Sequence, residues 1–346
     1  MIFNVHLDTG DLVAGTLIPY SPSETPLLRV VTQDGEMIVP MNKFNQGVLD
    51  AGAHETGFVD FELTPEIVPN LPNLGFLELY DAASGVCIYR RPPPDMAFER
   101  ILRLETSMLP LRRLDQEISK KFQMYYHSAE RMGRAGTVQL FNIWQRSVYI
   151  SARIQINSYQ HIHECGFETI ILLRDPREEL VERLVALQKA EQIGTHFLDE
   201  REARSLDEVV AFASTLDFTD GQSLVKGLRR LPVDVAMRLS NPLTRQLTAN
   251  DPNEPARRAN LSKALGHLAE AKVVGVRSRA GHFLEAVGEL IGAPIPEDSI
   301  IDIPKVRTLT DALIDSRVCD YFLELDLELY QFTERALEDS VATHDI

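Results

Sequence analysis

The chain has 346 residues, 51 of them Asp or Glu and 35 Lys or Arg, for a net charge of −16. That balance argues against nucleic acid or an anionic membrane surface as the main partner, while leaving room for local basic pockets. Hydrophobic residues at 44% and charged residues at 25% are ordinary for a packed globular protein, and the length allows two or three domains.

Residues 1–90 read as strands, because short apolar or alternating segments recur between turn signals such as Asp34-Gly35 and Ser84-Gly85. The segments are Leu12–Ile18, Leu27–Thr32, Met37–Val39, Phe58–Leu63, Phe76–Tyr80 and Val86–Tyr89. Their spacing predicts a small all-β sandwich-like domain. It holds three Lys or Arg against twelve Asp or Glu, so it carries −9 of the net charge. Residues 91–96, with Pro92-Pro93-Pro94, are expected to form a stiff linker.

Residues 97–340 change pattern and predict an α/β domain, a parallel sheet flanked by helices. RILRL, Arg100–Leu104, reads as a strand, and Leu111–Met132 has helical spacing. Val148 to Tyr159 is taken as mainly helix. FETIILL, Phe167–Leu173, is the clearest buried strand, and Arg177 to Gln192 the helix after it. Helices are expected at Leu206–Leu216, Gln222–Leu228, Asp234–Leu239 and Asn260–Ala269. A strand at Lys272–Val276, a helix from Ala280 to Ile291 ended by Gly292, and a helix from Asp326 to Asp339 complete the series.

In parallel α/β sheets, ligands sit at the carboxyl ends of the strands. The turns after RILRL and FETIILL are therefore the places to look. Four motifs stand there and beyond: ILLRDPREELVERL, NPLTRQL (Asn241 to Leu247), ALGHLAEAKVVGVRSRAGHFLEAVGELIG (Ala264 to Gly292) and DLELYQFTERALE (Asp326 to Glu338). In this order they resemble the sulfotransferases, especially the glycan-modifying branch. The resemblance implies a P-loop-NTPase-like sheet, the donor 3′-phosphoadenosine 5′-phosphosulfate (PAPS), and a glycan or polysaccharide acceptor. It assigns Arg174 to the 3′-phosphate and places Thr106 and Ser107 in the loop that would bind the 5′-phosphosulfate. Arg153 and Arg245 become candidates for anion or acceptor binding, with a plain surface role for Arg153 as the alternative. The N-terminal domain, through GVLDAGAHETGFVDFEL (Gly47 to Leu63), is similar to β-domains of bacterial surface-polysaccharide transferases, which implies a glycan or protein partner.

The departures from the family pattern are chemical. Its phosphate loop carries a lysine and glycines; here Glu105 takes the lysine's place and no glycine follows, so the backbone cannot wrap a phosphate closely. Glu179 and Glu182 stand where the family has a basic residue and a serine. A dianion beside two carboxylates is opposed by roughly 1–4 kcal/mol per like-charge pair in a wet site. The expectation is accordingly threefold: a transferase of surface polysaccharide with its donor residues largely replaced, a non-catalytic pseudo-sulfotransferase that binds glycan or serves as scaffold, or a transferase with another donor. In the third case Glu105, Asp175 and Glu182 could hold a divalent metal. Paired with ordinary geometry instead, Arg174 would bind Asp175 or Glu178, and Glu105 and Glu182 would be solvated surface charges.

Other chemistry-bearing residues suggest little. Cys87, Cys165 and Cys319 are far apart with no C-x-x-C spacing, so neither a disulfide framework nor a zinc site is expected, and a reducing compartment fits. His161 and His163 have no visible third ligand; His127, His267 and His282 read as surface residues. Trp144 is expected to be core, beside Phe141 and Tyr149. The opening MIFNVHLDTGD shows no export signal, and no apolar run approaches the ~18 residues of a membrane helix. A cytoplasmic location is the expectation.

Overall fold

The computed structural model describes residues 1–190, 198, 204–251 and 253–344. It divides into two compact units. The first gathers Met1–Phe98, Lys121–Tyr125 and Arg134–Val148; the second takes Glu99–Lys120, Tyr126–Gly133 and the chain from Tyr149 onward.

The first unit is built on two four-stranded sheets. One has the order β1 (Ile2–Asp8), β2 (Val13–Ile18), β6 (Phe58–Leu63), β5 (Lys43–Phe44); the other β4 (Gly35–Pro40), β3 (Leu27–Thr32), β7 (Leu77–Asp81), β8 (Cys87–Arg90). All neighbours pair antiparallel. Alternation sets the buried faces: Val59, Phe61 and Leu63 are buried, as are Leu28 and Val30, while the residues between them are not. Asp8 ties the sheets together by accepting from the Tyr89 hydroxyl at 2.7 Å and from Arg91 Nε at 3.0 Å. A short helix, α1 (Gln46–Asp50), interrupts the strands, and α3 (Gly133–Phe141) follows much later in the chain. Trp144 is 80% exposed, contrary to the expectation of a core residue, whereas Phe141 and Tyr149 are fully buried.

A five-stranded sheet has the order β10 (Met124–Tyr126), β11 (Val148–Ala152), β9 (Arg100–Leu104), β12 (Glu168–Leu173), β13 (Val273–Val276), and β9, β12 and β13 belong wholly to the second unit. β12 pairs in parallel with β9 and with β13. The chain leaves β9 to build one side of the sheet, then crosses to build the other. β9 is therefore the topological switch point, beside which α/β sheets place ligands.

Flanking helices are α2 (Arg112–Ser119), α4 (Pro176–Gln188), α5 (Asp207–Ser214), α6 (Gly221–Leu228), α7 (Val233–Leu239), α8 (Pro242–Thr248), α9 (Asn260–Glu270), α10 (Ala280–Ile291), α11 (Pro304–Ser316) and α12 (Glu324–His344). Val181, Leu184, Val209, Leu224, Leu239 and Leu309 join α4, α5, α6, α7 and α11 in one apolar cluster. Where β13 passes α10, a Cβ on Gly275 would lie 2.6 Å from that of Phe283, so only glycine fits. Gly292 closes α10 at φ 68°, the left-handed conformation of a helix C-cap.

Two sequence expectations fail here. Leu111–Met132 is not one helix: α2 stops at Ser119 and β10 follows. Val148 to Tyr159 is not helix but β11 and a 3-10 segment, Ile156–Ile162. β11 is buried at every residue, so its sequence lacks the alternation that marks a half-exposed strand. Glu191 and Gln192, the tail of the helix expected after FETIILL, lie outside the described residues.

Candidate anion-binding site

The turn after β9 is held by carboxylates of the chain itself. Glu105 is 4% exposed. Its Oε1 accepts from Ser107 N at 3.1 Å, and its Oε2 accepts from Leu111 N at 2.9 Å and from Arg103 Nη2 at 2.8 Å. Arg103 in turn donates to both oxygens of Asp115, at 2.7 and 3.0 Å, a bidentate pair. Asp115 also accepts from Tyr149 and Ser151 hydroxyls at 2.5 and 3.0 Å. Burial alone would lower the Arg103 pKa, but the two carboxylates outweigh it and hold the guanidinium charged; burial beside Asp115 pushes the Tyr149 phenol well up. Met108 N, the next amide of the turn, donates to Glu179 Oε1 of α4 at 2.9 Å.

These are amides that a phosphate loop would offer to a phosphate. Here carboxylates receive them. Glu105 is thus an internal anion at the N-terminal side of α2, not a solvated charge as the plain alternative held.

Arg174, at the end of β12, is similarly committed. It is 5% exposed, with Nη1 2.5 Å from Glu182 Oε2 and 3.7 Å from Glu179 Oε2, and Nε 3.7 Å from Glu178 Oε1. Nη1 is close to Glu182 but off line for a hydrogen bond, so the contact is one of charge. Glu182 is also buried, again not the surface charge of the plain alternative. Burial pushes its pKa up to about 7, against the pull of Arg174. Asp175 caps α4 by accepting from Arg177 N at 2.8 Å, ahead of Pro176 at the first helical position.

Beside this turn opens a cleft of about 100 Å³. It begins at the carboxyl ends of β9 and β11, whose neighbouring ends are joined by Glu105 N donating to Ala152 O at 2.9 Å. Thr106 and Met108 enter it after β9, and Arg153 and Gln155 after β11. Arg183 comes from α4, Arg238 from α7, Arg245 and Gln246 from α8. Four arginines therefore line one small space, and no Asp or Glu lines it among the described residues. The cost of that arrangement is visible at Arg245: burial, then the positive Arg183 and Arg238, push its pKa down to about 10. Two of the four also have a carboxylate within reach, Arg183 at 3.4 Å from Glu179 and Arg238 at 3.5 Å from Glu208; guanidinium groups are the side chains best suited to sulfate and phosphate oxygens.

Each arginine is placed by recognisable local structure. Arg153 Nη1 donates to Met108 O at 2.5 Å and its backbone N to Glu130 at 2.9 Å. Arg183 is 9% exposed, touches Glu179 at 3.4 Å, and its Nε has no hydrogen-bond partner. α8 is fixed by a reciprocal cap: Asp326 accepts from Leu243 N, Thr244 N and the Thr244 hydroxyl at 2.6–2.9 Å, while Asn241 Oδ1 accepts from Leu325 N and Asp326 N. The NPLTRQL and DLELY motifs are two halves of one joint. That joint carries Arg245, whose Nη2 donates to Arg238 O at 2.7 Å, and Gln246, which donates to Glu105 O at 2.7 Å.

Among the sequence candidates, Thr106, Arg153 and Arg245 meet in the cleft; Arg174, Glu179 and Glu182 form the adjoining ion cluster; Ser107 and Glu105 belong to the turn. Thr106 also donates to Leu172 O at 2.9 Å. Arg183 and Arg238 are not legible as site residues in the sequence: Arg183 sits in a helix dense with charge, and Arg238 reads as an ordinary cation in the last turn of a short helix. Glu105, Asp175 and Glu182 do not gather as metal ligands: no group of three His, Cys, Asp or Glu is so arranged among the described residues. The His161 side chain lies outside the described residues. No helix among the described residues is long and apolar enough to cross a membrane. Comparison with family models, curated proteins and solved structures finds no match.

Proposed function

We propose that this chain is a sulfotransferase-like protein that recognises a sulfate- or phosphate-bearing ligand, such as a substituted glycan, without transferring a group from PAPS. The observation that carries the reading is the convergence of Arg153, Arg183, Arg238 and Arg245 on one small cleft. Its volume suits one anionic group on a larger ligand, with the remainder outside. The residues present do not fit PAPS. The turn amides that would meet its phosphosulfate already hold Glu105 and Glu179, and Arg174 faces three carboxylates. A donor phosphate there would have to displace buried ion pairs and would meet like charge.

Sulfate titration by calorimetry tests the reading. Wild type should bind, and Arg245→Ala should bind roughly ten- to a hundredfold more weakly, the loss of one charge-assisted contact. Equal heats for both proteins, or none for wild type, would overturn it.

A further inference from the structure

The outer face of one sheet of the first unit ends in an apolar row. Ile2 pairs with Ile18 across β1 and β2, and Phe44 with Phe58 across β5 and β6. Thr16 pairs with Asp60, which sets Ile18 and Phe58, two residues along each strand, on the same face. The alternate residues Phe3, Leu17 and Val59 point into the core and are buried. Ile2, Phe44 and Phe58 are 47–56% exposed, and the two phenyl rings pack edge to face with centroids 5.7 Å apart. A row of this kind, crossing four strands, resembles the apolar centre of an interface rather than scattered surface residues. Its rim is polar and anionic. In the next row Asp60 accepts from the Thr16 hydroxyl at 2.6 Å and from Asn45 Nδ2 at 3.0 Å. The loops that leave the same strand ends, residues 19–26 and 45–57, carry Glu24, Asp50 and Glu55 and no Lys or Arg. They are tied together: Glu55 N donates to Pro22 O at 2.9 Å, and His54 Nε2 lies 2.9 Å from Glu24 O. The cations at this end are Lys43, 2.7 Å from Glu62, and the amino terminus, which faces Glu24 and Asp81. Carboxylates around the row therefore outnumber the cations and already engage them.

We infer that this end of the sheet docks a partner protein, through a segment that carries both apolar side chains and Lys or Arg. The face is independent of the arginine cleft, whose lining residues belong to the second unit. The apolar row supplies contact area, and the carboxylate rim selects the charge of what lands on it. A second copy of the chain fits poorly, because a two-fold contact here would set the same carboxylates against each other. The same charge turns away sulfated glycans and anionic lipid.

The full chain is titrated, with fluorescence anisotropy as the readout, against two labelled synthetic peptides, one of alternating Lys and Leu and one of alternating Lys and Ser. The Lys-Leu peptide should bind, and the Lys-Ser peptide should bind at least roughly tenfold more weakly, because exposed charge without apolar contact contributes little. Replacing Phe44 and Phe58 together by Ala should weaken Lys-Leu binding roughly tenfold or more. Replacing the exposed Asp50 by Asn and Glu55 by Gln should weaken it roughly three- to tenfold at about 50 mM salt and little at about 500 mM. Should the phenylalanine variant fail to fold, the carboxylate variant and the salt dependence of wild type decide. No binding of the Lys-Leu peptide, or equal binding by wild type and both variants, would overturn the inference. So would a concentration-dependent dimer that Phe44→Ala abolishes, which would give the face to a second copy, or binding of maltohexaose lost in the same variant, which would give it to a neutral sugar.

Discussion

Glu105 offers the sharpest test of how the turn after β9 is held. Replacing it with Ala removes three interactions at once: the acceptors of Ser107 N and Leu111 N, and one of the two carboxylates on Arg103. Arg103 is 1% exposed, and Asp115 remains bidentate to it, so the guanidinium is not left alone. What remains unsatisfied is the buried amide of Ser107 and the half-buried one of Leu111, at about 1–3 kcal/mol each, less whatever water can enter. The expected loss is about 3–5 kcal/mol, the range for breaking a buried pair from one side. Glu105→Gln should cost less, about 1–3 kcal/mol, because its amide oxygen still serves one amide while its NH₂ confronts the other. Urea unfolding followed by far-ultraviolet circular dichroism reads both values. A cost below about 1 kcal/mol for the Ala variant would refute the view that Glu105 serves as an internal anion. So would a Gln variant less stable than Ala.

Further expectations follow from the same geometry. Glu182 has a folded pKa of about 7, above its unfolded value, so the folded state binds more protons and the stabilisation present below about pH 4.5 is lost as pH rises through about 7. The melting temperature of wild type should therefore fall from about pH 5 to about pH 8, and that of Glu182→Gln should fall less; identical slopes would count against the assignment. Asp326→Ala removes the cap from α8 and should cost about 2–4 kcal/mol, while weakening sulfate binding through displacement of Arg245; unchanged affinity would show that α8 does not position the cleft. The thiols of Cys87 and Cys319 are buried and pushed up to about 12, so a disulfide reagent should modify at most Cys165 in the folded protein. Reaction at Cys319 before unfolding would contradict that packing. Trp144, 80% exposed, should emit like a solvated indole and tolerate Ala within about 0.5 kcal/mol.

Much of the fold is legible in the sequence, and the gaps have causes. Six strands of the first unit announce themselves by alternation and turn residues, but β1 is bulged between Val5 and Leu7, and β5 has two residues, too few to show a period. α10 is legible to the residue, because its apolar stripe and Gly292 agree. α8 and α11 are not, although each opens with a proline at the first helical position, Pro242 and Pro304. β11 hides because both its faces are buried. α4 is a related case: Glu179, Glu182 and Arg183 are buried along with Leu180 and Val181, so the helix shows little amphipathic contrast and its charges look solvated in sequence. That is why Arg183 escapes a sequence reading, while Arg153 and Arg245, next to quieter sequence, stand out. That Glu105 stands in the turn after β9 is visible in the sequence; that its carboxylate takes the turn amides is not, since nothing pairs Arg103 with Asp115 before the sheet is known.

Under the proposed reading, the chain's own carboxylates occupy the turn amides that a donor nucleotide would need, and the arginine cleft beside them takes an anion. The most direct test is titration of adenosine 3′,5′-bisphosphate and of inorganic sulfate into wild type and Arg174→Ala. Sulfate should bind wild type, and the nucleotide should bind no more tightly than phosphate alone, with no dependence on Arg174 as a ligand contact. Micromolar nucleotide binding that disappears in Arg174→Ala would contradict it.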